Sequence, residues 1–118
     1  MSLTMYHNPR CSKSRATLEL LQDRRLQPDI VRYLDTPPAP DTLGELARKL
    51  GCRPRDFLRS GESVWKDLGL DPDAVEDAEL LRLMSEHPIL IERPIVICGE
   101  RARIGRPPEA VLDILPER

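Results

Sequence analysis

Aromatic side chains are scarce in this chain: one Phe, one Trp and two Tyr, 3% of 118 residues. Leu, Ile and Val must therefore fill the core. Cysteine is also sparse. Cys11, Cys52 and Cys98 form an odd set at irregular spacing, which fits neither a disulfide framework nor a zinc site. No charge of one sign dominates. Lys and Arg total 18 against 20 Asp and Glu, a formal net charge of -2, which argues against nucleic-acid binding by bulk electrostatics. No apolar run approaches the roughly 20 residues that span a bilayer. The opening Met1-Ser2-Leu3-Thr4-Met5-Tyr6 lacks the basic and apolar regions of a signal peptide. These absences predict a cytoplasmic protein with reduced thiols and with no membrane or nucleic-acid partner; a monomer is expected. At this length one domain, 1–118, is expected, large enough to bury a core without disulfide staples.

The hydrophobic pattern supplies the elements. Leu3 to Tyr6 reads as a strand, and a helix follows from about Ser12 to Arg25, burying Leu18, Leu20 and Leu21. Ile30 to Leu34 reads as a second strand, giving a β-α-β unit with parallel strands and a right-handed crossover. The proline-rich Thr36-Pro37-Pro38-Ala39-Pro40 ends it. Leu43, Leu46, Ala47 and Leu50 fall on one face of a helix that starts near Pro40 or Asp41 and stops at Gly51. Pro54 opens a short helix carrying Phe57, Leu58 and Arg59. Gly61 to Asp73 reads as loop, with Trp65, Leu68 and Leu70 tucked onto the core. Asp77 to His87 is a helix burying Leu80, Leu81 and Met84. Ile95 to Cys98 is a strand covered on both faces, turned by Gly99-Glu100 into Arg101 to Ile104. A terminal helix follows, with Val111, Leu112 and Leu115 inward. The order describes an α/β domain with a four-stranded mixed sheet and a helical insertion between strands 2 and 3, which is the thioredoxin-like order.

Cys11 carries the chemistry. It stands between the first strand and the first helix in Tyr6-His7-Asn8-Pro9-Arg10-Cys11-Ser12-Lys13-Ser14-Arg15. Helix-start N–H groups and neighbouring cations favour a thiolate, and the same N–H groups are a site for an oxyanion. An arbitrary cysteine is more often a small buried apolar residue, but the polar flanks argue otherwise here. Cys11-Ser12-Lys13-Ser14 has the spacing of a C-x-x-C redox motif with Ser in place of the second Cys, so no local disulfide can form. The Ser14 hydroxyl is placed to hydrogen-bond the thiolate or to help cap the helix, and His7 to tune the thiol electrostatically. Cys52 and Cys98 read as structural. Arg59, Arg93 and Arg106 stand out among surface arginines by context: Arg59 at a short helix, Arg93 before Pro94 at a buried strand, and Arg106 in a strand-to-helix turn. In a thioredoxin-like sheet the proline at that strand entrance is typically cis and re-aims the preceding residue toward the thiol.

The Cys11 segment resembles the signature of the glutathione- and glutaredoxin-dependent arsenate reductase family. Further blocks that resemble it are Tyr33-Leu34-Asp35-Thr36-Pro37-Pro38, Leu58-Arg59, His87-Pro88-Ile89-Leu90-Ile91-Glu92-Arg93-Pro94-Ile95-Val96 and Gly105-Arg106-Pro107-Pro108-Glu109. They occur in order over essentially the whole chain. The resemblance implies that Cys11 is the nucleophile, that Arg59, Arg93 and Arg106 bind the oxyanion, and that His7 and Ser14 assist the thiol. It also implies arsenate as substrate, glutathione as co-substrate and glutaredoxin as partner, with no bound cofactor, metal or flavin.

Other readings of a reactive thiol fit less well. The phosphatase-like arsenate reductases use a C-x5-R loop, and the position of that Arg is occupied by Thr17. A thioredoxin-like regulator that binds RNA polymerase often carries C-x-x-C as a disulfide switch, which Ser14 removes. A glutathione-dependent thiol oxidoreductase acting on another oxyanion or on a glutathione mixed disulfide stays open.

Overall fold

The computed structural model describes residues 2–116. They divide into two compact units, one made of the residues up to Thr36 together with those from Arg93, the other of Pro37–Glu92.

The first unit holds the sheet. Strands β1 (Leu3–Tyr6), β2 (Asp29–Val31), β3 (Ile95–Cys98) and β4 (Arg101–Ile104) lie in the order β2-β1-β3-β4. β1 runs parallel to β2, while β3 is antiparallel to both β1 and β4. This is the expected mixed sheet. β2 is shorter than the apolar pattern suggested, because Arg32 turns the chain: its carbonyl accepts the N–H groups of Asp35 and Thr36, each at 2.9 Å. Tyr33 is nonetheless buried, and its ring stacks on Tyr6 at 6.3 Å between centroids.

Helix α1 (Ser12–Asp23) joins β1 to β2. Its buried residues are Ser14, Thr17 and Leu21, while Leu18 and Leu20 are only half-buried. Met5, Leu21, Val96, Cys98, Val111 and Ile114 form the core of this unit, and Leu3, Leu18, Leu20, Leu26 and Leu115 pack against it. A fully buried Leu or Val contributes about 1.5–3 kcal/mol through removal from water. The last element, Pro108–Ile114, is a 3-10 helix rather than an α-helix. Three residues per turn place Val111, as expected, and Ile114 inward, while Leu112 is half-buried and Leu115, just past the helix, packs against the core.

The second unit is the helical segment between β2 and β3. Helix α2 (Pro40–Leu50) buries Leu43, Leu46 and Ala47 and stops at Gly51, whose φ of 71° suits glycine. Helix α4 (Asp77–Glu86) packs against it and buries Leu80, Leu83 and Met84, an i, i+3, i+4 stripe. Leu81, expected inside, is half-buried and lies over Gly44. The segment read as loop contains helix α3 (Ser63–Leu68), which buries Trp65 and stops at Gly69. Leu68 and Leu70 are exposed, at 37% and 39%, not tucked inward. A helix of 6 residues between glycines carries too few apolar positions to show a period, which is why the pattern missed it. A 3-10 helix, Pro54–Phe57, precedes Leu58, which bridges to Ile91. Among the described residues no helix is long and apolar enough to cross a membrane.

Candidate active site

Cys11 is the N-cap residue of α1, in extended conformation, so the first turn of the helix begins on it. Its N–H donates to the Asn8 carbonyl at 3.0 Å, and its own carbonyl accepts the Arg15 N–H at 3.0 Å. The loop before it is fixed from both sides: Asn8 Oδ1 accepts the Arg10 N–H at 3.0 Å, and Arg15 Nη1 donates to the Pro9 carbonyl at 3.0 Å. Cys11 is 9% exposed, close to solvent but largely enclosed.

Burial pushes the Cys11 thiol up, but the Ser14 backbone N–H, the Arg93 guanidinium and the Lys13 backbone N–H together outweigh it, and the thiol lies below its ordinary value. Arg106 Nη2 reaches Cys11 Sγ at 3.8 Å. The two arginines are tied to each other, since Arg106 Nε donates to the Arg93 carbonyl at 2.8 Å. Both Arg93–Pro94 and Arg106–Pro107 are cis. The first was expected, and the second was not.

His7 and Ser14 meet, though not at the sulfur. His7 Nδ1 and Ser14 Oγ share a hydrogen bond of 2.6 Å, and Ser14 Oγ also accepts the Asn8 N–H at 3.0 Å. The Ser14 hydroxyl thus holds the loop, while its backbone N–H serves the thiol. Burial, with Arg32 and Arg15 nearby, lowers the His7 pKa and favours the neutral ring.

Arg59 lies in the second unit. Its N–H donates to the Leu90 carbonyl at 2.7 Å, and Nη2 pairs with Glu62 at 3.0 Å. Nη1 is buried with no hydrogen-bond partner. Cys52 is in the same unit, where burial and Asp56 raise its thiol. Cys98 is a core residue of the sheet, and none of the three cysteines forms a disulfide. No cluster of three His, Cys, Asp or Glu residues that could hold a metal is found among the described residues.

The model described as the ArsC family matches residues 6–114. The chain belongs to the ArsC family. It is similar to an arsenate reductase of Haemophilus influenzae, 49% identical over 116 residues, covering 98% of this chain and 100% of that one. It is similar also to the uncharacterized protein YfgD of Escherichia coli, 46% identical over 112 residues, with 94% of each covered. The solved structure of an arsenate reductase from Vibrio cholerae superposes with a TM-score of 0.93 at 47% identity, over 98% of each chain. The sheet is therefore thioredoxin-like, as its strand order indicated.

Two features of this ArsC chain were not foreseen from sequence. Arg15, one turn beyond Cys11, braces the loop through Pro9; the i, i+4 spacing from Cys11 was the available signal. Gly105 is the other. A Cβ there would lie 2.6 Å from Thr17 Oγ1 and 2.8 Å from Pro94 Cγ, so only glycine lets β4 approach α1 this closely just before Arg106. Its place in Gly105-Arg106-Pro107 was the only hint.

Proposed function

We propose that this protein reduces arsenate to arsenite, with Cys11 as nucleophile and with glutathione and glutaredoxin supplying the reducing thiols. The observation that carries this reading is the cationic setting of one thiol: two arginines and two backbone N–H groups converge on Cys11 Sγ. The names of the similar arsenate reductases favour arsenate over other oxyanions.

Arsenate near neutral pH is a mono- or dianion, so an approaching thiolate is repelled. Arginine forks and helix-start N–H groups offset that repulsion, and do so most where charge accumulates during attack. Cys11 displaces one arsenate oxygen as water and leaves an S–As(V) bond. Glutathione displaces a second oxygen, again as water. A glutaredoxin thiol then takes the glutathionyl sulfur as a mixed disulfide, and two electrons pass to arsenic, now As(III). Water cleaves the remaining Cys11–As bond, releasing arsenite and the thiol. Ser14 at the fourth position of the motif is why the reducing thiols come from outside the chain.

Arsenate-dependent NADPH oxidation, coupled through glutathione reductase with glutathione and glutaredoxin present, tests the reading. Turnover that is lost in Cys11→Ser is expected. Lysine at position 93 or 106 keeps the charge but loses the fork, and kcat/KM should fall at least about tenfold, roughly 1.4 kcal/mol. Arg59→Ala should lose activity, while Arg24→Ala on the exposed end of α1 should stay near wild type. No arsenate-dependent oxidation under these conditions would overturn the reading.

A further inference from the structure

A cleft of about 220 Å³ lies beside the nucleophile loop, lined by His7, Pro9, Arg10, Arg32, Leu34 and Asp35 among others. Pro9 and Arg10 lead directly into Cys11, so its wall is continuous with the thiol segment. The second wall is the turn after β2. Both walls are held by contacts within the chain. Arg15 holds the Pro9 carbonyl on one side. On the other, the Tyr33 ring is buried and stacked on Tyr6, and the Arg32 carbonyl accepts the Asp35 and Thr36 N–H groups.

The charges in this cleft are mixed. Arg10 and Arg32 are cations, and Asp35 is an anion lying 3.6 Å from Arg32, with both side chains of that pair exposed. A simple oxyanion gains from the arginines but is repelled by Asp35. A ligand with carboxylates and an ammonium gains from all three. Glutathione has two carboxylates and one ammonium, and as a three-residue peptide it spans about 10 Å. Its charged ends match the cleft, whose wall runs directly into Cys11.

We propose that this cleft is the glutathione subsite, with peptide carboxylates on Arg10 and Arg32 and the ammonium on Asp35. The inference rests on glutathione being the second thiol in the proposed function. Binding in the cleft changes no bond; it raises the local concentration of the thiol that displaces arsenate oxygen.

S-methylglutathione, which cannot react, is the probe. The ¹⁵N-labelled full chain is titrated without arsenate at about pH 8, well above an ordinary histidine range, so that loss of Arg32 leaves His7 neutral. Amide shifts centred on residues 7–10 and 32–35 are expected. Arg32→Ala and Asp35→Asn should each weaken binding about fivefold, the scale of one exposed charge pair. In the coupled assay the same variants should raise KM for glutathione by a similar factor and leave KM for arsenate and for glutaredoxin unchanged. Shifts that map elsewhere, or variants that alter KM for glutaredoxin and not for glutathione, would overturn the subsite while the arsenate reading stands. Binding in the cleft without arsenate turnover would support the subsite and remove the reading.

Discussion

The hydrogen bond between His7 Nδ1 and Ser14 Oγ, 2.6 Å long and buried, joins the end of β1 to the first turn of α1. Because Ser14 Oγ also accepts the Asn8 N–H, one hydroxyl fixes both ends of the loop that presents Cys11. Ser14→Ala leaves two polar groups without that partner, at a cost of roughly 1–3 kcal/mol. Urea denaturation should show that loss. The backbone N–H that serves Cys11 remains, so the pH midpoint of Cys11 alkylation should move less than in Arg93→Ala. A midpoint shift as large as that of Arg93→Ala would mean that the hydroxyl acts on the sulfur itself.

His7 also sets a pH dependence. Its folded-state pKa is lowered by burial first, then by Arg32 and Arg15. The unfolded chain therefore binds this proton more readily than the folded one. Stability from His7 is complete above the ordinary histidine value, about 6.5, and declines as pH falls from there toward the lower folded value. Thermal denaturation should show a falling Tm over that interval, and His7→Gln should flatten it. The paired carboxylates Glu45 and Glu79, whose pKa values are also lowered, act at lower pH and leave this window clear.

The thiols should separate cleanly. Iodoacetamide alkylation of Cys11 should have its midpoint below that of an ordinary cysteine, and Arg93→Ala should raise it, since that guanidinium both hydrogen-bonds the sulfur and attracts its charge. Cys52→Ala should retain activity, because its thiol is raised rather than activated. Cys98→Ala should retain activity and lose about 1 kcal/mol of stability through the space left in the core. A Cys52 or Cys98 variant as inactive as Cys11→Ser would point to an intramolecular thiol relay.

Gly105→Ala should damage both stability and catalysis. The added methyl meets Thr17 Oγ1 and Pro94 Cγ well inside contact distance. Overpacking of this kind costs about 1–3 kcal/mol, and Arg106, the next residue, should be shifted from Cys11. The expected result is a lower Tm with kcat/KM reduced at least about tenfold. Adding Thr17→Ala removes the nearer clash and should recover part of the activity. Without any recovery in the double variant, the contact with Pro94 is the one that matters.

Much of the protein was legible in its residues. A continuous apolar run gave β3, a heptad-like stripe and its Gly51 stop gave α2, and the polar helix-start setting marked Cys11. Those signals are local, because strand burial, helix periodicity and capping depend on a few adjacent residues. What failed was short or turned on geometry: α3 spans too few residues to show a period, and the last helix tightened to 3-10 and changed which side chains face inward. Sequence likewise selected His7, Ser14, Arg93 and Arg106 but gave their partners only in part. That Ser14 serves the thiol through its backbone and His7 through its hydroxyl, and that Arg106 leans on the Arg93 carbonyl, was decided by the tertiary structure. The physical reason is that hydrogen-bond direction and close packing, such as Gly105 against Thr17, depend on ångström-scale placement of segments far apart in the chain, which no local pattern encodes.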